Sequence, residues 1–517
     1  LYPIPYTLYP IPYTLYPIPL YPYTPIHYTP IPTLMTNSLI FEKSKPGRKG
    51  YSLPKREVED NIQNLPERFR RKKDANLPEI SENEVQRHFV KLSNANYHID
   101  KGMYPLGSCT MKYNPKINEI AARMSGLLDL HPFQKEETIQ GAMELMYHLQ
   151  QYLATISGMK RVCLQPAAGA QGEFTGVLMI RKYFEKKGEL ETRRKILIPD
   201  SAHGTNPATA ALAGFQVVTI NSLKNGLTDI EHFKANLNEN VAGMMITNPN
   251  TVGIFETNIG EICRLMHQND GLMYMDGANL NALLGIARPG DMGFDVMHYN
   301  LHKTFSTPHG GGGPGSGAVG VGERLLNFLP GPEIIFENNR YTFYNNNPDS
   351  IGRLHGFMGN FGMLVRAYTY IRVHGAKGLE RISQNAIINA NYVFSKLKNH
   401  FNAPFYNEKI MHEAILSGEK QKKENGVKTF DIAKRLMDYG FHPFTIYFPL
   451  IIHECMMIEP TESESKENLD RFCSAMIKIA EESVSDPEMV KKAPHTTFHG
   501  RLDDAYAAKN INVCCLV

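Results

Sequence analysis

Between about residues 140 and 330, short apolar runs alternate with longer stretches in which apolar and polar positions mix as in helices or loops. The runs at 161–164 (RVCL), 195–199 (KILIP), 215–220 (FQVVTI), 242–246 (AGMMI) and 271–275 (GLMYM) read as buried strands. Strands alternating with helical segments predict a layered α/β domain with a largely parallel sheet, in which ligands sit beyond the carboxyl ends of the strands. From about 370 to 510 the pattern becomes helix, strand, helix. FDIAKRLMDYGFH at 430–442 is amphipathic, TIYFPL at 445–450 predicts a strand, and Thr461 with Glu464 predicts a capping box for a helix through about 483. The expected organisation is a segment at 35–130, a large domain at 131–370, a smaller C-terminal α/β domain at 371–510 and a tail at 511–517.

Residues 1–34 break this pattern. They repeat LYPIPYT and then degrade into Leu, Tyr, Pro, Ile and Thr with one histidine, His27, and no Asp, Glu, Lys or Arg precedes Glu42. Such proline density prevents helix and interior strand, which predicts an extended, disordered, polyproline-like segment. It has neither the basic start nor the continuous apolar core of a secretory signal, and Met35 is the expected natural start. The following polar and basic stretch, with RFRRKKD at 68–74, reads as a solvated face. The turn-rich stretch GMYPLGSCTMKYNP at 102–115 has the composition of loops that line sites on a rigid scaffold.

Composition narrows the function classes. A chain of 517 residues with 42% hydrophobic and 21% charged residues is an ordinary globular protein with room for a sizeable core. A net charge of +3 is too mild to imply nucleic acid or an acidic membrane surface as partner. No apolar run reaches the ~18 residues of a membrane span. Seven cysteines, scattered without metal-ligand spacing, suit a reducing cytoplasm. The terminal CCLV superficially suggests a prenylation box, but valine is an unusual last residue and no polybasic stretch adjoins it.

The candidate chemistry centres on residues 295–317, DVMHYNLHKTFSTPHGGGGPGSG. Lys303 stands there between His302 and His309, ahead of four consecutive glycines at 310–313. An amine in this setting suits a Schiff base with a carbonyl cofactor, and pyridoxal phosphate sites pair such a lysine with an acid for the pyridinium nitrogen. Asp276 ends the apolar run GLMYM, where its charge is costly unless something cationic meets it. A nucleotide phosphate loop fits poorly, because the lysine precedes the glycines and no closing Gly-Lys-Ser/Thr follows. The other run ends also carry polar groups. QPAAGAQGEFTG at 165–176 offers small residues Ala168, Gly169 and Ala170, then Gln171, where backbone amides can approach an anion. DSAHGTNPAT at 200–209 supplies His203, a ring that can stack on a flat cofactor, and Thr205, while AGMMI is followed by Thr247 and Asn248. Each alone is ordinary turn chemistry; together they converge on one rim.

Assembled, these motifs resemble the glycine dehydrogenase (decarboxylating) family, the P-protein of the glycine cleavage system, and within it the separate subunit 2 that corresponds to the C-terminal half of the fused form. The resemblance covers roughly 35–509, through YPLGSCTMKYNPK, QPAAGAQGEFTG, DSAHGTNPA, TNPNTVGIFE, MDGANLNALLG, NLHKTFSTPHGGGGPG, TIYFPL, MMIEPTESESKENLD and APHTTFHGRLDD. It implies the pyridoxal 5'-phosphate (PLP)-dependent transferase fold of the aspartate aminotransferase type (fold type I). It further implies a Schiff base on Lys303, His203 stacked on the ring, Asp276 at the pyridine nitrogen, the 168–171 turn near the phosphate, and His302, Thr205, Thr247 and Asn248 around the cofactor. The implied activity is glycine dehydrogenase (aminomethyl-transferring, decarboxylating): glycine loses CO₂ and its aminomethyl group passes to the lipoyl arm of the H-protein. Implied partners are the H-protein and subunit 1, two copies of each subunit, with the 102–115 loop, given no obvious structural duty in its own domain, near interface and channel. The glycine carboxylate is left without an assigned residue, Arg353 being one guess. Another fold type I reaction, transamination or sulfur removal, and a non-catalytic partner subunit are the alternatives. The 34-residue repeat and the INVCCLV tail have no counterpart in the family.

Overall fold

The computed structural model describes residues 38–51, 54–55, 57–58, 64–73, 75–309, 315–345 and 347–511. The proline–tyrosine repeat, the glycines at 310–313 and the CCLV tail lie outside them. The chain divides into two compact units, Leu1–His88 and Phe89–Val517. In the first, short 3-10 turns lie at Ile40–Lys43 and Glu67–Phe69, Arg48 Nη1 lies 2.5 Å from Glu84 Oε2, and residues 68–73 are exposed.

The second unit is built on a seven-stranded sheet: β1 (Arg161–Cys163), β2 (Lys195–Pro199), β3 (Gln216–Ile220), β4 (Val241–Thr247), β5 (Leu272–Asp276), β6 (Val296–Asn300) and β7 (Gly317–Val321). Their spatial order is β1-β7-β6-β5-β4-β2-β3. Strands β3, β2, β4, β5 and β6 pair in parallel, and β7 runs antiparallel to both its neighbours. The five predicted runs are β1 to β5, so the sheet is largely parallel. They carry continuous apolar sequence because both faces are covered, and successive residues enter different cores. Met273, Met275 and Met297 pack with the helix Gln140–Ser157 on one face; Leu272, Tyr274 and Val296 pack with the helix Gly169–Lys187 on the other. The same alternation sets Asp276 two residues beyond Tyr274, and His298 two beyond Val296, on the face capped by Gly169–Lys187. No helix among the described residues is long and apolar enough to cross a membrane.

A hairpin of β8 (Glu333–Glu337) and β9 (Arg340–Tyr344) follows, then the helix Phe361–Leu397, which is broken at Gly375 (φ 59°). Its early residues pack on the large sheet and its last turns in a second core. That core surrounds a three-stranded antiparallel sheet ordered β10 (Ala414–Ser417), β12 (Cys455–Ile458), β11 (Thr445–Ile446). Two expectations are corrected here. The run 445–450 is strand only over Thr445–Ile446, since Tyr447 turns to φ 58° and Pro449 follows two residues on. The helix Lys466–Ser485 is capped by Ser465, whose hydroxyl accepts from Asn468 N, whereas Thr461 lies in a turn at φ 61° bonded to Ser463.

The 102–115 loop has a structural duty after all. It lies against the small sheet through Glu459 N to Pro105 O at 3.2 Å and Thr445 Oγ1 to Gly107 O at 2.7 Å. A Cβ at Gly107 would lie 2.2 Å from Met457 Cγ, so only glycine fits this approach. Lys112 then enters the interior, donating to Asn281 Oδ1 at 2.9 Å, Tyr370 Oη at 3.1 Å and Glu462 Oε1 at 2.9 Å. The ion pair is nearly dry, with side-chain exposures of 2% and 10%. Lys112→Met is expected to cost about 3–5 kcal/mol, because it strands a buried carboxylate. Burial raises the Glu462 carboxyl, but Lys112 and Asn281 outweigh it and leave it lowered. A lowered carboxyl stabilises the fold above its unfolded value, roughly 4.3, and less as pH falls through the folded value. The Tm gap between wild type and variant should therefore be full at neutral pH and close in acid; a gap independent of pH would assign the loss to packing instead.

Candidate active site

The carboxyl ends of three neighbouring strands deliver the first part of the site. β4 ends in Thr247, β5 in Asp276 and β6 in Asn300, after which one helical turn, Leu301–Thr304, presents Lys303. All four line one cavity of about 270 Å³, with Ser108, Gly169, Ala170, Glu173, His203 and Thr205 among the other wall residues.

Lys303 is half-buried. Its Nζ donates to Ser108 O at 2.7 Å, and among the described residues it makes no ion pair. Asp276 is buried and tightly held: Asn206 Nδ2 donates to Oδ2 at 2.9 Å, Ala278 N to Oδ1 at 3.0 Å, and His298 Nε2 lies 3.4 Å from Oδ1. Burial raises this carboxyl, but His298, Asn206, the Ala278 amide and Lys303 outweigh it, so Asp276 is held below the ordinary carboxylate range. His298 Nδ1 is in turn 2.7 Å from Tyr274 Oη, which fixes the imidazole. Asn206 also bonds the buried Glu173 at 3.1 Å.

The helix Gly169–Lys187 begins at the cavity, bringing the amides of Gly169 and Ala170 to its wall, free of intrahelical partners as first-turn amides are. A Cβ at Gly169 would lie 1.8 Å from Asn300 Oδ1, so a side chain there would fill this cradle. His203 is exposed at the rim, with Nδ1 accepting from Thr205 N at 3.2 Å. His302 and His309 stand edge to face at 4.7 Å. Burial, with Lys303 nearby, pushes both imidazoles down to about 4 and leaves them neutral at pH 7.

Not every residue expected at the site faces it. Ala168 is the N-cap of its helix and accepts from Gly172 N; Gln171 Oε1 accepts from Ala167 N at 2.6 Å. Asn248 turns its amide to the backbone of Glu256, with Glu256 N to Oδ1 at 2.9 Å. None of these three side chains lines the cavity, and Arg353 is exposed outside it. Sequence reasoning passed over His298, Asn206, Glu173 and Asn300, and, on the small-domain side, His412 and Glu413. Glu459 stands behind Glu413, its Oε1 accepting from Asn279 Nδ2 and its Oε2 from Thr110 N, both at 3.0 Å. Glu459 directly follows the apolar strand β12, much as Asp276 closes β5, so a similar signal was present in both places.

A flat, phosphorylated pyridine carbonyl fits this wall. Helix-start amides serve an anion, a lowered carboxylate serves a protonated ring nitrogen, an amine free of ion pairs serves the carbonyl, and an exposed imidazole can cover the ring face. Thr247 Oγ1 and Asn300 Oδ1 are buried at the same cavity without a hydrogen-bond partner among the described residues, the mark of a site awaiting a polar ligand. Sheet order, the acid ending β5 and the lysine after β6 define the PLP-dependent transferase fold of the aspartate aminotransferase type.

Solved structures carry that fold. The glycine decarboxylase (P-protein) of the glycine cleavage system in inhibitor-bound form superposes with TM-score 0.68 at 18% identity, covering 81% of this chain and 94% of that one. Cysteine desulfurase from Thermococcus onnurineus NA1 gives 0.58 at 14%, covering 74% and 95%. At the level of sequence, residues 51–338 match the family described as Glycine cleavage system P-protein, and residues 382–495 match Glycine dehydrogenase, C-terminal domain. The "probable glycine dehydrogenase (decarboxylating) subunit 2" of Chloroherpeton thalassium is 62% identical over 485 residues, 93% of this chain and 98% of that protein. Its namesake from Caldanaerobacter subterraneus subsp. tengcongensis is 55% identical over 476 residues, 92% and 98%. The chain belongs to the glycine cleavage system P-protein family.

Proposed function

We propose that this chain decarboxylates glycine and passes the remaining aminomethyl group to the lipoyl arm of an H-protein, with PLP as its cofactor. The observation that carries the reading is Lys303: a half-buried amine just beyond a parallel strand, bonded among the described residues only to a backbone carbonyl, and sharing its cavity with a carboxylate held ionised in the interior. PLP, when bound, supplies the electron sink for the pair left as CO₂ departs. Lys303 would hold the cofactor through its carbonyl carbon. Asp276, braced by His298 and Asn206, keeps a proton on the ring nitrogen. The amides of Gly169 and Ala170 hold the phosphate, Thr205, Thr247 and His302 flank the site, and His203 covers the ring. Exchange of labelled CO₂ into glycine, assayed with lipoylated H-protein, tests the reading; transamination or sulfur release without exchange would overturn it.

The relatives' designation as subunit 2 supports a subunit 1 partner; two copies of each chain, in the cytoplasm, are the assembly we propose. An exposed apolar series on residues 117–133 suits such a partner: Ile120 is 60% exposed, Leu128 61% and Phe133 69%. Turnover by the isolated chain is expected to be near zero and to appear on adding subunit 1. Full glycine turnover by a monomer in sedimentation would refute this.

A further inference from the structure

Glu413 and Glu459 form a carboxyl pair that the roles above leave unused. Both are buried, at 3% and 0% exposure, and carboxyl oxygens of the two lie within 4.8 Å of each other. Two adjacent buried carboxylates with no cation between them cannot both be charged, so the pair holds a proton. Their other contacts are neutral donors: Ser108 N to Glu413 Oε1 at 2.6 Å, and Thr110 N and Asn279 Nδ2 to Glu459. Among the described residues neither acid is ion-paired with a lysine or arginine. The nearby cation, Lys303, spends its bond on Ser108 O, the carbonyl of the residue whose amide serves Glu413. Burial, then the neighbouring acid, raises Glu413 well above the carboxylate range, and burial likewise raises Glu459.

The surrounding groups leave the proton on this pair. His412 lines the cavity beside Glu413 with no hydrogen-bond partner for either ring nitrogen among the described residues, and burial pushes it down to about 4. Burial raises the Cys109 thiol, the two glutamates adding to the effect and Lys303 opposing it. Asp276, which lines the same cavity, is lowered. One cavity thus holds one carboxyl kept ionised and another kept protonated, the pattern of divided acid and base duties.

We propose that Glu413, sharing one proton with Glu459, is the general acid for aminomethyl transfer; this rests on the glycine-decarboxylating reading. The transfer needs such an acid. The aminomethyl carbon, using the electron pair left by CO₂, forms a C–S bond to one sulfur of the lipoyl disulfide. The S–S bond breaks, its pair goes to the second sulfur, and that sulfur takes the proton from Glu413 and remains on the opened lipoyl arm as a thiol. The disulfide is reduced by two electrons, the carbon is oxidised by two, and the acid pair regains its proton from solvent after product release. Glu413 touches the cavity and is the catalytic residue; Glu459 stands behind it as a positioning residue that keeps the proton in place.

The test uses the PLP-loaded assembly of both subunits in wild-type, Glu413→Gln, Glu413→Asp and Glu459→Gln forms. Infrared spectra at neutral pH are expected to show the carbonyl stretch of a protonated carboxylic acid in wild type. Either glutamine variant should lose it, since the remaining carboxylate then accepts from an amide. Transfer to lipoylated H-protein should fall about 10²–10⁴-fold in Glu413→Gln, with partial rescue in Glu413→Asp and loss of the alkaline limb of the wild-type pH–rate profile. The cofactor absorbance should persist in every form. Absence of the protonated band from wild type overturns the proposal whether or not the variants fold, as does transfer at wild-type rate by Glu413→Gln. Stoichiometric divalent metal on His412, Glu413 and Glu459, detected by elemental analysis, overturns it too. A wild type with the band but no action on glycine overturns the function itself, and the acid's role with it.

Discussion

Lys303→Ala is expected to abolish glycine exchange and to leave no cofactor–protein link for borohydride to trap, while the melting temperature stays close to wild type. The fold takes little from this side chain. Its ammonium makes one hydrogen bond, to the Ser108 carbonyl, and no ion pair among the described residues. A single bond of that kind contributes about 0.5–1.5 kcal/mol net, and the side chain is only half-buried. Chemistry, by contrast, loses its amine entirely, and no other lysine lines the cavity among the described residues. Exchange near the wild-type rate, or a borohydride-trapped adduct at another lysine, would remove Lys303 from the reaction.

Asp276→Asn is expected to keep the cofactor bound and to slow decarboxylation by about 10²–10³-fold, the scale seen when a preorganised charge is removed from a reacting centre. The carboxylate is kept ionised against burial by His298, Asn206 and the Ala278 amide. An amide of the same shape preserves the packing but offers the ring nitrogen no counter-charge, so the ring loses its proton and its pull on electrons. The readout separates the two effects: cofactor stoichiometry should stay near one per site while the rate falls. An unchanged rate would give the ring nitrogen another partner.

The sheet was legible because buried parallel strands leave continuous apolar runs, and all five runs read from the sequence are strands. β7 was passed over because GAVGV carries two glycines and so little of that signal; Gly320 is needed where a Cβ would lie 2.5 Å from Tyr299 Oη. The 445–450 run misled because composition does not register the turn at Tyr447. At the site, Lys303 and Asp276 stood out as charged groups closing or following apolar segments, and both line the cavity. Asn248, Ala168 and Gln171 looked alike in sequence, yet local backbone bonds absorb them, and which way a turn residue faces is set by neighbours that sequence does not name. Glu413 escaped because its meaning lies in a second acid brought beside it by sheet pairing.

The 102–115 loop also sets a timetable for synthesis. Its bonds from Ser108 to Glu413, from Thr110 to Glu459 and from Lys112 to Glu462 span 305, 349 and 350 residues. At roughly 5–20 residues per second a ribosome takes tens of seconds to cover such distances. A nascent chain ending just after β7 already contains every residue proposed to hold the cofactor. Ser108 has no seat until the small domain has emerged, so the carbonyl that receives Lys303 is among the last parts of the site to arrive.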